Sequence, residues 1–149
     1  MPRTCLILRV NGVEHYFTSC QGDEYLCHPQ HRQKGFSSKK SQWRVTRPKE
    51  CHICCQARVL ENSYPQNLKV AGGVWYVAPG GASVGGAADE RLAFFEAGDQ
   101  SGKPWHGYPV GSSSHSKNSR RPPSELILHW SDTKRIPSHV ADKLMRRVL

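Results

Sequence analysis

The chain has 149 residues, 37% of them apolar, and carries a formal net charge of +9 at neutral pH. No stretch of it approaches the roughly 20 consecutive apolar residues that cross a bilayer, so a membrane-spanning helix is excluded. The length suits one ordinary domain or two small ones, and 13 Gly with 10 Pro commit a large share of the chain to turns and loops.

The charge is uneven: residues 1–60 carry +6, residues 61–110 carry −2 and residues 111–149 carry +5. Two basic ends around a slightly acidic middle suggest a polyanionic partner, nucleic acid foremost, because Lys and Arg release the counterions condensed on phosphates. The alternative is a solvated surface whose charge serves solubility alone. The apolar run within residues 1–10 is short and interrupted by Arg9, unlike a secretory signal, so a cytoplasmic protein is expected. In that reducing setting the six cysteines read as thiols or metal ligands rather than as three disulfides.

Residues 4–10 and 13–19 are β-rich runs joined by Asn11-Gly12, a pair that tolerates the positive φ angles of a two-residue turn, so a β-hairpin is predicted. A polar, basic loop over residues 20–41 follows. A short strand over residues 42–46, centred on Trp43 and Val45, is predicted to end at Pro48 and lead into a cysteine knuckle.

Two pairs of metal-ligating residue types bracket this region. Cys27-x3-His31 and Cys51-x2-Cys54 are separated by 19 residues, a spacing that suits a tetrahedral zinc site of two small turns. Thiolate and neutral imidazole are good zinc donors, and four protein ligands make the ion structural. Cys20, His28, His52 and Cys55 compete for places in the set. Between the pairs lie Arg32, Lys34, Lys39, Lys40, Arg44, Arg47 and Lys49, with Phe36 and Trp43 among them. Cations beside aromatic faces are how single-stranded nucleic acid is held, by phosphate contact and base stacking. The competing reading buries Trp43 in a small sheet.

Residues 58–78 are predicted to continue with β structure, ending in Val74-Trp75-Tyr76-Val77, an apolar run between Gly72-Gly73 and Pro79-Gly80 that reads as a buried strand. The Gly-rich segment near residues 79–88 marks either a domain boundary or a long hairpin loop, the latter if a strand over residues 91–96 pairs back. Residues 103–110, Lys-Pro-Trp-His-Gly-Tyr-Pro-Val, are predicted to form a rigid turn. Its His106 and Tyr108 are candidates for acid–base catalysis on a phosphate, against a purely structural role.

Residues 111–121 read as a loop, Pro122-Pro123-Ser124-Glu125 as a helix start, and Pro137-Ser138 as the start of a second helix with Ile136, Val140, Leu144 and Val148 on one stripe. The fold expected is therefore α+β: an N-terminal β-hairpin within a small zinc-stapled β-rich module, a short antiparallel sheet, and a C-terminal pair of helices. Residues 1–60 and 61–149 form the expected units, or else one single domain. Walker, Rossmann, HExxH and GxSxG patterns are absent. The leading expectation is a zinc-binding module for nucleic acid or another polyanion. The competing classes are a small nuclease-like enzyme built on residues 105–108 and a protein-interaction adaptor.

Overall fold

The computed structural model describes residues 6–10, 13–17, 24–27, 43–85, 90–97, 105–111 and 121–148. The molecule is α+β. Strands β1 (Leu6–Val10) and β2 (Val13–Phe17) pair antiparallel with Val10 opposite Val13, the register a two-residue connection imposes. The Asn11-Gly12 turn itself lies outside the described residues. β3 (Glu24–Leu26) completes a three-stranded sheet in the order β1-β2-β3.

Residues 47–62 overturn the strand-and-knuckle expectation by forming α1 (Arg47–Asn62), a 16-residue helix. Thr46 stays extended and its Oγ1 accepts from the Lys49 N–H at 3.4 Å, which caps the start. Pro48 stands in the first turn, where its missing N–H leaves no intrahelical bond unmade. Glu50, Cys51, Ile53, Cys54 and Ala57 are buried, and their three-to-four spacing is the inward stripe of a helix. Trp43 forms only an isolated bridge to Gly85 instead of a strand, and the chain between α1 and residue 73 holds a short 3-10 turn, Gln66–Leu68, in place of β structure.

The central sheet is β4 (Gly73–Val77), β5 (Leu92–Glu96) and β6 (His106–Val110), antiparallel throughout in the order β4-β5-β6. The pairing of Val77 with Leu92 makes the Gly-rich segment the connection between two adjacent strands. The rigid turn expected over residues 103–110 is for the most part strand β6. Pro109 is compatible with it because β6 is the last strand of its sheet and a proline has no N–H to donate to a further neighbour. Gly73 is required by close approach: a Cβ there would stand 2.2 Å from the Phe95 carbonyl oxygen.

Alternation along β5 divides the core in two. Leu92 and Phe94 face one side, where α2 (Ser124–Asp132) and α3 (Ser138–Val148) contribute Leu126, Ile127, Trp130, Val140 and Leu144. Ala93 and Phe95 face the other, against Tyr25, Trp43, Ile53, Cys54 and Ala57. The result is helix, sheet, helix. α1 continues past residue 60 to Asn62, and its buried face packs on strands of the central sheet. The C-terminal helices match the expected positions, with Ile136, Val140 and Leu144 buried and Lys143 and Arg146 exposed. Among the described residues no helix is long and apolar enough to cross a membrane.

Candidate functional site

Of the four expected zinc ligands, Cys27, Cys51 and Cys54 lie among the described residues, and all three are buried. Cys51 is disulfide-bonded, and a disulfide sulfur is not a thiolate donor. Cys51 and Cys54 lie on successive turns of a buried helix face rather than on a knuckle. Cys27 is buried, with its thiol 3.9 Å from the Arg47 carbonyl, and His31 falls outside the described residues. Of the competing residues, His52 and Cys55 are half-buried on α1, while Cys20 and His28 lie outside the described residues. Among the described residues no group of three or more His, Cys, Asp or Glu is placed to hold a metal ion. Alkylation of the chain unfolded in denaturant without reductant, followed by mass analysis, is expected to leave Cys51 unmodified, and modification of Cys51 at full yield would contradict the disulfide.

The residue at the heart of that region is an acid. Glu50 is fully buried in the first turn of α1 and accepts a hydrogen bond from the equally buried Tyr25 hydroxyl. Burial, followed by the Glu50 carboxylate, pushes the Tyr25 hydroxyl well above the ordinary tyrosine value. Burial likewise raises Tyr64 and Tyr76. Because each folded-state value exceeds the unfolded value of about 10, the unfolded chain loses protons first as pH climbs. The stability these three tyrosines contribute is therefore fully present below about pH 10 and is lost as pH rises above it. Phenolate absorbance is expected to show some of the five tyrosines titrating only as the near-ultraviolet circular dichroism collapses. All five titrating together on an intact fold would be inconsistent with these burials.

The basic candidates divide. Arg44 and Arg47 are exposed at the start of α1, next to exposed Lys49, whereas Arg32, Lys34, Lys39 and Lys40 lie outside the described residues. Trp43 is buried: its ring stacks on Phe95 at 5.8 Å and 23°, and its Nε1 donates to the Gly107 carbonyl at 3.2 Å. That ring is part of the core and is not offered to a base.

His106 and Tyr108 are brought together by a residue that no motif announced. The β5–β6 register sets Glu96 opposite His106, and Tyr108 follows two residues on, so all three occupy one face at one end of the sheet. His106 Nε2 donates to Glu96 Oε2 at 3.0 Å, and the Tyr108 hydroxyl donates to Glu96 Oε1 at 3.0 Å. His106 and Glu96 are each about one-third exposed, 32% and 35%, while Tyr108 is buried against Phe94. The carboxylate thus fixes the imidazole through one nitrogen and leaves Nδ1 for proton exchange, an arrangement that supports acid–base chemistry. On the opposite face the Arg58 guanidinium lies 4.4 Å over Trp105. Glu96 was detectable in the sequence only as the acidic end of a buried apolar strand.

No family model matches the chain, and no curated protein or solved structure matches it.

Proposed function

We propose that the protein binds nucleic acid or another polyanion through the basic surface at the start of α1. The observation that carries this reading is the exposed set Arg44, Arg47 and Lys49 in a chain of net charge +9. The reading does not depend on zinc or on Trp43. Fluorescence anisotropy with short single-stranded DNA and RNA is expected to give affinity that falls steeply with salt. Replacing Arg44, Arg47 and Lys49 together by Ala is expected to lower the salt slope by about 2. Absence of affinity at low salt, or an unchanged slope in the triple variant, would reject the reading.

A second reading has its own observation. The Glu96–His106–Tyr108 cluster supports a metal-independent phosphodiester-cleaving enzyme in which Glu96 orients His106 and His106 exchanges a proton with the substrate. The two readings separate on whether bound nucleic acid is cut.

A further inference from the structure

A second concave site lies at the other end of the central sheet. A cavity of about 420 Å³ opens where the end of α1, the Pro79–Gly81 turn and the α2–α3 connection meet, and its size is that of a small-molecule pocket. Leu60, Pro79 and Trp130 supply an apolar floor. The polar lining is Ser63, Tyr64, His129, Thr133, Lys134 and Arg135, with no carboxylate among the lining residues. The Val77 carbonyl accepts from Arg135 Nε at 2.9 Å, and Val77 closes the end of β4 opposite to the Gly73–Glu96 end, so this cavity is separate from the Glu96 cluster.

Three of these donors are held in place by their neighbours. The Tyr64 hydroxyl accepts from Trp130 Nε1 at 2.8 Å, tying the end of α1 to α2, and its own proton has no acceptor among the described residues. Burial keeps that phenol protonated, hence a donor. The His129 ring stands edge-on to Tyr64 at 5.1 Å, and its nitrogens have no protein partner among the described residues. Arg135 is fixed by Val77 and by the Tyr76 ring, 5.4 Å from its guanidinium carbon.

Lys134 carries the strongest sign. It sits at φ 66° in the left-handed region, one residue past the helix cap Thr133. The Lys134 N–H donates to the Ser131 carbonyl at 3.1 Å and the Arg135 N–H to the Trp130 carbonyl at 2.8 Å, which is a complete Schellman closure. Glycine suits that position, and a residue with a Cβ costs about 1 kcal/mol there. Lys134 accepts this strain and places a cation on the cavity wall, while Gly80 at φ 75° donates its N–H to the Arg135 carbonyl at 2.9 Å and holds the facing wall.

We propose that this cavity binds a phosphate monoester, its anionic group received by Lys134, Arg135, His129 and the Tyr64 hydroxyl and its body resting on Leu60, Pro79 and Trp130. Two cations, Lys134 and Arg135, in a lining without a carboxylate match the charge of nearly −2 on a phosphate monoester better than the single charge of a carboxylate. Two sources present this group, a free nucleotide and the terminal phosphate of a strand.

Calorimetric titration of the full chain with adenosine 5′-monophosphate, adenosine, and a hexanucleotide with and without a 5′-phosphate tests the site. Adenosine monophosphate is expected to bind and adenosine not, which identifies the free nucleotide; a preference for the phosphorylated hexanucleotide alone identifies the strand terminus. Lys134→Gly is expected to leave the melting temperature equal or higher while weakening the phosphorylated probe about tenfold or more. The Arg44, Arg47 and Lys49 triple variant is expected to bind adenosine monophosphate as the parent chain does, which separates this site from the polyanion surface. Equal binding of phosphorylated and unphosphorylated probes, no binding of any phosphorylated probe at millimolar concentration, or unchanged affinity in Lys134→Gly would each overturn the proposal.

Discussion

Phe95→Ala is expected to lower the unfolding free energy by about 3–5 kcal/mol, the range for truncating a buried aromatic residue in a close-packed core. Phe95 has 0% exposure and stands between layers, stacked on Trp43 and edge-on to Tyr25 at 6.0 Å and 61°. Neighbours have already made room for it, since a Cβ on Gly107 would lie 2.2 Å from its Cδ1, so collapse into the vacated space requires the backbone to move. Against the roughly 5–15 kcal/mol by which domains are stable, the loss is a large fraction of the whole. Denaturant unfolding at constant pH measures it, with Phe95→Leu expected to lose about 1.5 kcal/mol or less beside it. A change below about 1 kcal/mol for Phe95→Ala would contradict the packing of Phe95 between the central sheet and α1 described above.

Glu96→Gln carries the second large effect. If the chain cleaves phosphodiesters, this variant is expected to lose about 10²- to 10⁴-fold in rate, the usual contribution of acid–base catalysis. Glutamine retains the size and a carbonyl acceptor for the Tyr108 hydroxyl, but it supplies no negative charge to stabilise a protonated His106. Binding and its salt dependence are expected to be unchanged, because Glu96 is not part of the Arg44, Arg47 and Lys49 surface. His106→Ala is expected to match the loss, and the two together are expected to lose little more than either alone, as residues acting as one unit do. Full cleavage by Glu96→Gln, or no cleavage by the parent chain, leaves the cluster a structural tie at the end of the sheet.

Much of the architecture is written in local chemistry. Asn11-Gly12 between two β-rich runs predicts the β1–β2 pairing, Gly and Pro boundaries isolate the apolar strand β4, and Pro122-Pro123 and Pro137 set the starts of α2 and α3. Each signal works because the constraint acts within a few residues. α1 also had local signals, namely Thr46, Pro48 and the inward stripe from Glu50 to Ala57, but Cys51 and Cys54 in the same residues, with Cys27 and His31 upstream, matched a metal spacing equally well. The spacing was compatible with both, and burial against the sheet made it a helix.

The sequence by itself determined the composition of charge, the hairpin, the buried strand and the helical pair, since turn chemistry and hydrophobic period are properties of neighbours along the chain. Tertiary structure alone decided the rest. Glu96 meets His106 through strand register, Trp43 is withdrawn from solvent by Phe95, and residues near 60, 80 and 134 enclose a common cavity. These are contacts between residues far apart in the chain, whose positions depend on how sheet and helices pack, and no spacing rule along one segment encodes them.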